Sequence, residues 1–314
     1  MSITVRKNIE SLTDDEWGRF VVSLNEYKQS GAYNTVTQHH ATAMFTLTLL
    51  PGETGTSRNV AHRGPAFFPW HRQALRELEL KLADIQKIYF PNEEPVGIPY
   101  WRWNVTGSNW RTRPIWNRIG GNGNSRNGYI VDTGPFADWT STIRRSNGTF
   151  VDRPGIVRKF KTSGSMPGWG NTSNRTYDAA PWSEKSSTTA SFRTFMEKKH
   201  NNVHVNIGGD MLAATSPNDP LFWFHHCNVD RAWARWQAVR GVTNYQPNAV
   251  NFLGFPTPDS PPGHHFKHIP TILDSAQFPY NKTNGEILDQ LNFDLDAFGN
   301  GVSGSGFDYD TLVP

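Results

Sequence analysis

Apolar positions recur at helical spacing in five stretches of the chain. Trp17, Phe20, Val21, Leu24 and Tyr27 share one stripe, and Thr13 and Glu16 just before them have capping-box spacing, so a helix starting near residue 14 is expected. It has the character of a core-packing element without chemistry. A second helix is predicted from Tyr33 to about Phe45, ended by the Pro51-Gly-Glu-Thr-Gly loop. A third opens at His71 and aligns Leu75, Leu78, Leu82 and Ile85. The fourth covers Ser191 to about Val205, and the fifth runs from about Phe222 to Val239 with Val229, Trp233 and Trp236 inward. No internal repeat and no strong strand alternation is visible. Residues 91–150 and 161–190 are dense in Gly, Asn, Ser, Thr and Pro and read as loops, and the chain beyond about 241 is again rich in Pro and Gly. The expected fold is mainly α: a four-helix bundle whose facing helices project side chains into a central site, with long irregular loops.

Composition narrows the class. With 314 residues the chain can bury a large core, and we expect one catalytic domain over 1–314, of which 241–314 is the part hardest to align. The 12 tryptophans, 21 prolines and 27 glycines suit a compact, loop-rich protein rather than a disordered one. The net charge is +3 and the basic residues are dispersed, which argues against a nucleic-acid partner. One cysteine, Cys227, excludes an internal disulfide. The first residues lack the apolar core of a signal peptide and no window is apolar enough to span a membrane, so a cytoplasmic address, or export carried by a partner, is the expectation.

The histidines carry the chemistry. His40, His62 and His71 lie in the first quarter, and His200, His204 and His226 two-thirds of the way along. Two sets of three imidazoles suit a pair of copper, zinc, iron or nickel ions, and the lack of carboxylates at ligand spacing disfavours a hydrolytic centre such as a zinc hydrolase. His200 and His204 are four apart and project the same way from a helix, and Glu197 and Asn201 lie on the same stripe. A solvated polar face would look the same in isolation. His62 and His71 are nine apart and would face opposite ways on one helix, but Pro65 and Pro69 break the interval and let His62 approach from elsewhere. His39 and His40, like His225 and His226, are neighbours that diverge by about 100° on a helix, so one of each pair is expected to bind. His264, His265 and His268 read as an exposed segment, with accessory metal capture as the bolder alternative.

The flanks of these histidines carry a resemblance. His62-Arg-Gly-Pro-Ala-Phe-Phe-Pro-Trp-His71-Arg72, followed by Leu75 and Glu79, and Asp219-Pro-Leu-Phe-Trp-Phe-His225-His226-Cys-Asn228-Val-Asp230-Arg231 resemble the two copper signatures of the tyrosinase family, the type-3 copper oxidases. The resemblance covers roughly the first 240 residues and is strongest to the bacterial members. It implies two copper ions held by His40, His62 and His71 and by His200, His204 and His226, with His40 preferred to His39 and His226 to His225. It also implies O2 as co-substrate, a small phenolic substrate, and Glu197 with Asn201 as the pair that holds and activates a water. Asp230 is expected to be structural, paired with an arginine such as Arg231. No cysteine stands near His62, so the cysteine–histidine thioether of some members is not expected.

The implied activity is ortho-hydroxylation of monophenols and oxidation of o-diphenols to o-quinones. The alternatives are a catechol or o-aminophenol oxidase without the hydroxylation step and, less favoured, a haemocyanin-like dioxygen carrier. Some bacterial relatives need a copper-delivering caddie protein, so such a partner is a further expectation. Departures from the family pattern concern the pocket. Val205 stands where several bacterial members have arginine, Ala213 and Ala214 occupy the region of the access-controlling residue and leave the entrance open, and only two residues separate Glu197 from His200. Asn292-Phe-Asp-Leu-Asp296 is aligned with the Tyr-x-Tyr that usually closes the catalytic domain, and no shielding C-terminal domain is expected.

Overall fold

Helices α1 (Asp14–Gln29) and α2 (Ala32–Phe45) begin the helical part of the chain. The structure is a computed structural model and describes residues 3–49, 52, 54–55, 58–64, 66–169, 192–241 and 306–311. The predicted capping box is formed: the Glu16 amide donates to Thr13 Oγ1 at 3.1 Å and the Thr13 amide to Glu16 Oε2 at 2.9 Å. Asp14, Asp15 and Glu16 in the first turn and Lys28 in the last add favourable charge against the helix dipole.

Helix α3 (Phe67–Tyr89) starts four residues before the predicted His71. Pro69 therefore lies in its first turn, where the missing N–H has no intrahelical acceptor to lose, and does not break the chain as expected. Pro65 lies outside the described residues. The short helix α4 (Ile115–Ile119) is followed by α5 (Phe192–Ile207) and α6 (Leu221–Arg240), within two residues of the predicted bounds where these were set. Helix α6 is buried on nearly every side, as expected of the central element of a bundle. Helices α3 and α5 pack on α6, and α2 meets α6 through the 3-10 turn Ser216–Asn218. The fold is mainly α, with a helical core and long irregular loops.

Two small sheets depart from the sequence pattern. β1 (Thr4–Arg6) pairs in parallel with β4 (Phe307–Tyr309), and β2 (Thr140–Arg144) forms an antiparallel hairpin with β3 (Phe150–Pro154). The hairpin lies largely in a stretch read as loop because its inward positions are polar: Ser141 and Thr142 are buried, and Asn218 accepts from the Thr142 amide at 2.7 Å and donates to its carbonyl at 2.8 Å. Hydrophobic alternation has nothing to register there. Trp101, Trp103 and Trp110, from the same irregular stretch, are fully buried.

Buried ion pairs join the elements. Arg158 grips Asp219 with two bonds of 2.6 and 2.7 Å, and Asp219 Oδ1 accepts from the Leu221 amide at the start of α6. Asp230 on α6 is structural, as expected, but its partners are Arg72 of α3 (2.6 Å), Arg6 of β1 (3.2 Å) and the Tyr309 hydroxyl (2.6 Å). Arg231 instead donates to the Thr311 carbonyl. The segment Asn292–Asp296 and His264, His265 and His268 lie outside the described residues. An aromatic-x-aromatic closure is met further on, at Phe307-Asp308-Tyr309, where Phe307 lies under the Arg6 guanidinium at 3.6 Å.

Candidate metal centre

Each helix of the bundle contributes to one buried cluster. His40 comes from α2, His71 from α3, His200 and His204 from α5, and His225 and His226 from α6, while His62 sits in the loop before α3. The ligand atoms within each of two groups, His40/His62/His71 and His200/His204/His225/His226, lie within 4.8 Å of one another. The groups are adjacent, since the His226 ring stacks on His71 at 4.1 Å and 8° and the His62 ring centre is 6.0 Å from that of His200.

Hydrogen bonds to the outer ring nitrogens set the tautomers. The Nδ1–H of His40 donates to the Ala214 carbonyl (2.7 Å), that of His71 to the Phe67 carbonyl (2.7 Å), that of His204 to the Met211 carbonyl (2.5 Å) and that of His200 to Asn201 Oδ1 (3.0 Å). In each of these rings Nε2 is then the lone-pair nitrogen. His200 Nε2 lies 2.9 Å from His204 Nε2 and 3.1 Å from His226 Nε2, and the Nε2 atoms of His40 and His71 are buried without a hydrogen-bond partner among the described residues. The facing lone pairs of His200 and His204 repel at 2.9 Å unless a cation lies between them. Imidazole nitrogens about 2.0–2.1 Å from one ion would stand about 3 Å apart, which matches the spacing found. Burial in apolar surroundings also holds the rings neutral and ready to bind: the pKa values of His40 and His204 fall to about 4, and those of His62, His71, His200 and His226 fall well below the usual value.

His225 shares the second cluster but differs in orientation. Its ring lies face to face with His200 at 4.9 Å and 17°, with Trp103 on another side, and neither of its nitrogens has a hydrogen-bond partner among the described residues. His39, beside His40 on α2, belongs to neither group. Phe67 and Phe222 wedge between the rings, Phe67 against His71 and His200, and Phe222 against His40 and His226.

The loop that presents His62 is tied down at both ends. Asn59 Oδ1 accepts from the amides of Ala61 and His62, and Arg63 takes the left-handed conformation (φ 58°), which turns its amide toward Glu197 Oε1 at 2.5 Å. The other Glu197 oxygen accepts from Arg193, one turn earlier on α5, at 3.0 Å. Burial raises the Glu197 pKa, while Arg193 and the Arg63 amide pull it back. After α5 the chain reverses at Gly208 and Gly209, whose φ values of 68° and 58° suit glycine. A Cβ on Gly209 would meet the Val157 carbonyl at 2.1 Å. That reversal delivers the Met211 and Ala214 carbonyls to His204 and His40.

A cavity of about 500 Å³ opens onto the cluster and is lined by the imidazoles of His40, His62, His200 and His204 together with Glu197, Asn201, Val205 and Ala213. Ala214, expected at the entrance, contributes its carbonyl to His40 instead. Arg193, Asn59 and the two carbonyls were missed in the sequence. The four-residue spacing of Arg193 and Glu197 on a predicted helix was a usable signal for the first. The others depend on loop conformation and left none.

Fold and site together define a helical protein with two adjacent all-imidazole groups, each able to hold a metal ion, beside a cavity of small-molecule size. The profile of the common central domain of tyrosinase matches residues 26–239, and the chain belongs to the tyrosinase family of type-3 copper oxidoreductases. It is 36% identical over 257 residues to a tyrosinase of Streptomyces antibioticus, covering 78% of this chain and 87% of that one. It is 33% identical over 329 residues to the grixazone synthase of Streptomyces griseus, covering 93% and 98%. Among solved structures, a functional unit of Octopus hemocyanin superposes with a TM-score of 0.57 at 19% identity, over 98% of this chain and 68% of that one. A polyphenol oxidase from Thermothelomyces thermophila gives 0.54 at 20% identity, over 98% and 88%, and at these identities both speak for the fold alone.

Proposed function

We propose that the chain is a tyrosinase that uses O2 to hydroxylate small monophenols at the ortho position and to oxidise o-diphenols to o-quinones, with water as the other product. In this reading His40, His62 and His71 hold one copper and His200, His204 and His226 the other. The convergence of the Nε2 atoms of His200, His204 and His226, with the Nδ1 atoms of His200 and His204 already engaged elsewhere, carries it. When bound, the copper pair supplies the redox chemistry with dioxygen.

The protein's own groups prepare the substrate. A phenol with a pKa of about 10 must lose its proton before its ring carbon can be oxygenated at neutral pH. Glu197 has the position and environment of the base. It lines the cavity, its buried carboxyl is held above the usual range, and each oxygen keeps a lone pair beyond its bond to the Arg63 amide or to Arg193. Asn201 turns its carbonyl to His200 and leaves its amide group to hold a water beside Glu197. The aromatic packing of Phe67 and Phe222 excludes bulk water from the ring nitrogens.

A second reading, a catechol or o-aminophenol oxidase that cannot hydroxylate, draws support from the engagement of both Glu197 oxygens. Oxygen uptake and quinone absorbance on copper-loaded protein, given a monophenol, its catechol and an o-aminophenol, separate the two. Turnover of the monophenol is expected; activity on the other two alone would replace the first reading with the second, and reversible oxygen binding without turnover would overturn both.

Within this proposal the chain acts as one catalytic unit, supported by the pairing of β1 with β4 from the two ends of the sequence. A copper-delivering partner remains part of it, testable by comparing copper content after expression with and without added metal. No helix among the described residues is long and apolar enough to cross a membrane.

A further inference from the structure

Beside the exposed Arg63 and Asn201, part of the mouth of the metal-centre cavity is built from side chains that solvent would ordinarily select against. Leu47, just after α2, is 50% exposed; Val205 on α5 is 45% exposed; Leu212, in the 3-10 turn that follows α5, is 61% exposed. Three separate elements thus place apolar groups around one opening, and Met44 and Met211 line the same cavity. Such residues scattered singly over a surface need no explanation, but their convergence on one cavity does. The charged groups lining this cavity among the described residues are Arg63 and Glu197, close enough that Arg63 lowers the Glu197 pKa. One charge of each sign leaves an anionic substituent without a net attractive field.

We infer that Leu47, Val205 and Leu212 form a specificity rim that selects phenols whose substituent opposite the hydroxyl is uncharged and apolar, at the expense of phenols carrying a carboxylate there. The inference rests on the phenol-oxidising reading of the site and adds the substrate class. The hydroxyl end must reach the imidazole cluster, so the opposite end of the ring is the part that meets the rim. An alkyl chain covers the three side chains and is covered by them, and each buried methylene favours binding by about fourfold. A carboxylate in the same place must shed water against leucine and valine side chains that return no hydrogen bond, beside an Arg63 whose charge is offset by Glu197.

The test uses 4-propylphenol and 3-(4-hydroxyphenyl)propionate, near-isosteres that differ in charge, together with their catechols, on copper-loaded protein. The neutral member of each pair is expected to have the higher kcat/KM by about tenfold or more, with the difference in KM. Leu212→Lys, and independently Leu47→Lys, should raise KM for the neutral substrate, lower it for the acid, and bring the ratio to within about twofold. Calorimetric Kd values for the unoxidisable methyl ethers of the two phenols should follow the same order. Equal kcat/KM within the pairs, or a ratio that neither lysine variant moves, would overturn the rim. A preference confined to the catechols, with no phenol turned over, would instead sink the monophenol reading and leave the rim standing.

Discussion

Individual residues here carry their chemistry through what holds them. Glu197 accepts from the amide of the left-handed Arg63, next to His62, and lines the cavity, so in the proposed function it would have two jobs, loop support and general base. Glu197→Gln keeps a carbonyl oxygen for the Arg63 amide but loses the base. We therefore expect monophenol turnover to fall by about 100-fold and catechol turnover by much less, measured as kcat on matched substrates. Equal losses would assign the residue to loop support alone. The buried imidazoles make a second prediction. His40 and His204 titrate near 6.5 when unfolded and at about 4 when folded, so between these values the unfolded chain binds more protons than the native one. Their contribution is fully present above pH 6.5 and is lost as the pH falls toward 4. Each adds about 1.4 kcal/mol per pH unit to the slope in that window. Urea unfolding of metal-free protein at pH 7.5, 6 and 5 should show this decline, and copper-loaded protein should be more stable throughout because metal binds only the neutral rings. A flat profile would mean that the rings are hydrated in the metal-free state.

At the level of elements, a capping box marks the start of α1, and a buried ion pair holds the start of α6, the helix that carries His225 and His226. Thr13→Ala removes one half of the α1 capping box and should cost about 1 kcal/mol. Arg158→Ala should cost more, about 3–5 kcal/mol, because it strands the fully buried Asp219 carboxylate at the start of α6. Denaturant midpoints compare the two directly, and a smaller loss for Arg158→Ala would show that water reaches Asp219. The contrast also explains what was legible. The capping box is local in sequence and was read correctly, whereas the partner of Asp219 lies 61 residues away. The early start of α3 went unread for a related reason: Pro69 signals a break, yet in a first turn it is harmless, and only packing of Phe67 and Phe68 against the core decides which applies.

Over the whole molecule, the two ends of the chain close on the bundle through one buried network. Tyr309 and Arg6 converge with Arg72 on Asp230, one turn after His226. Tyr309→Phe keeps the ring but removes a hydrogen bond to a buried carboxylate, with an expected loss of about 1.5–3 kcal/mol and an unchanged content of two copper ions per chain. Loss of one copper would show that the network positions the metal ligands rather than only closing the fold. The amino-acid sequence by itself determined the five longer helices, though not the short α4 or the start of α3, the two sets of imidazoles and the pairing of Glu197 with Asn201 on one face, because these depend on spacing within a few turns of chain. Tertiary structure alone decided which carbonyls fix the tautomers of His40 and His204, how His225 and His226 divide their surroundings, and which apolar side chains ring the cavity. Those outcomes depend on backbone reversals such as Gly208–Gly209 and on contacts between residues far apart in the chain, and neither leaves a periodic trace in the order of side chains.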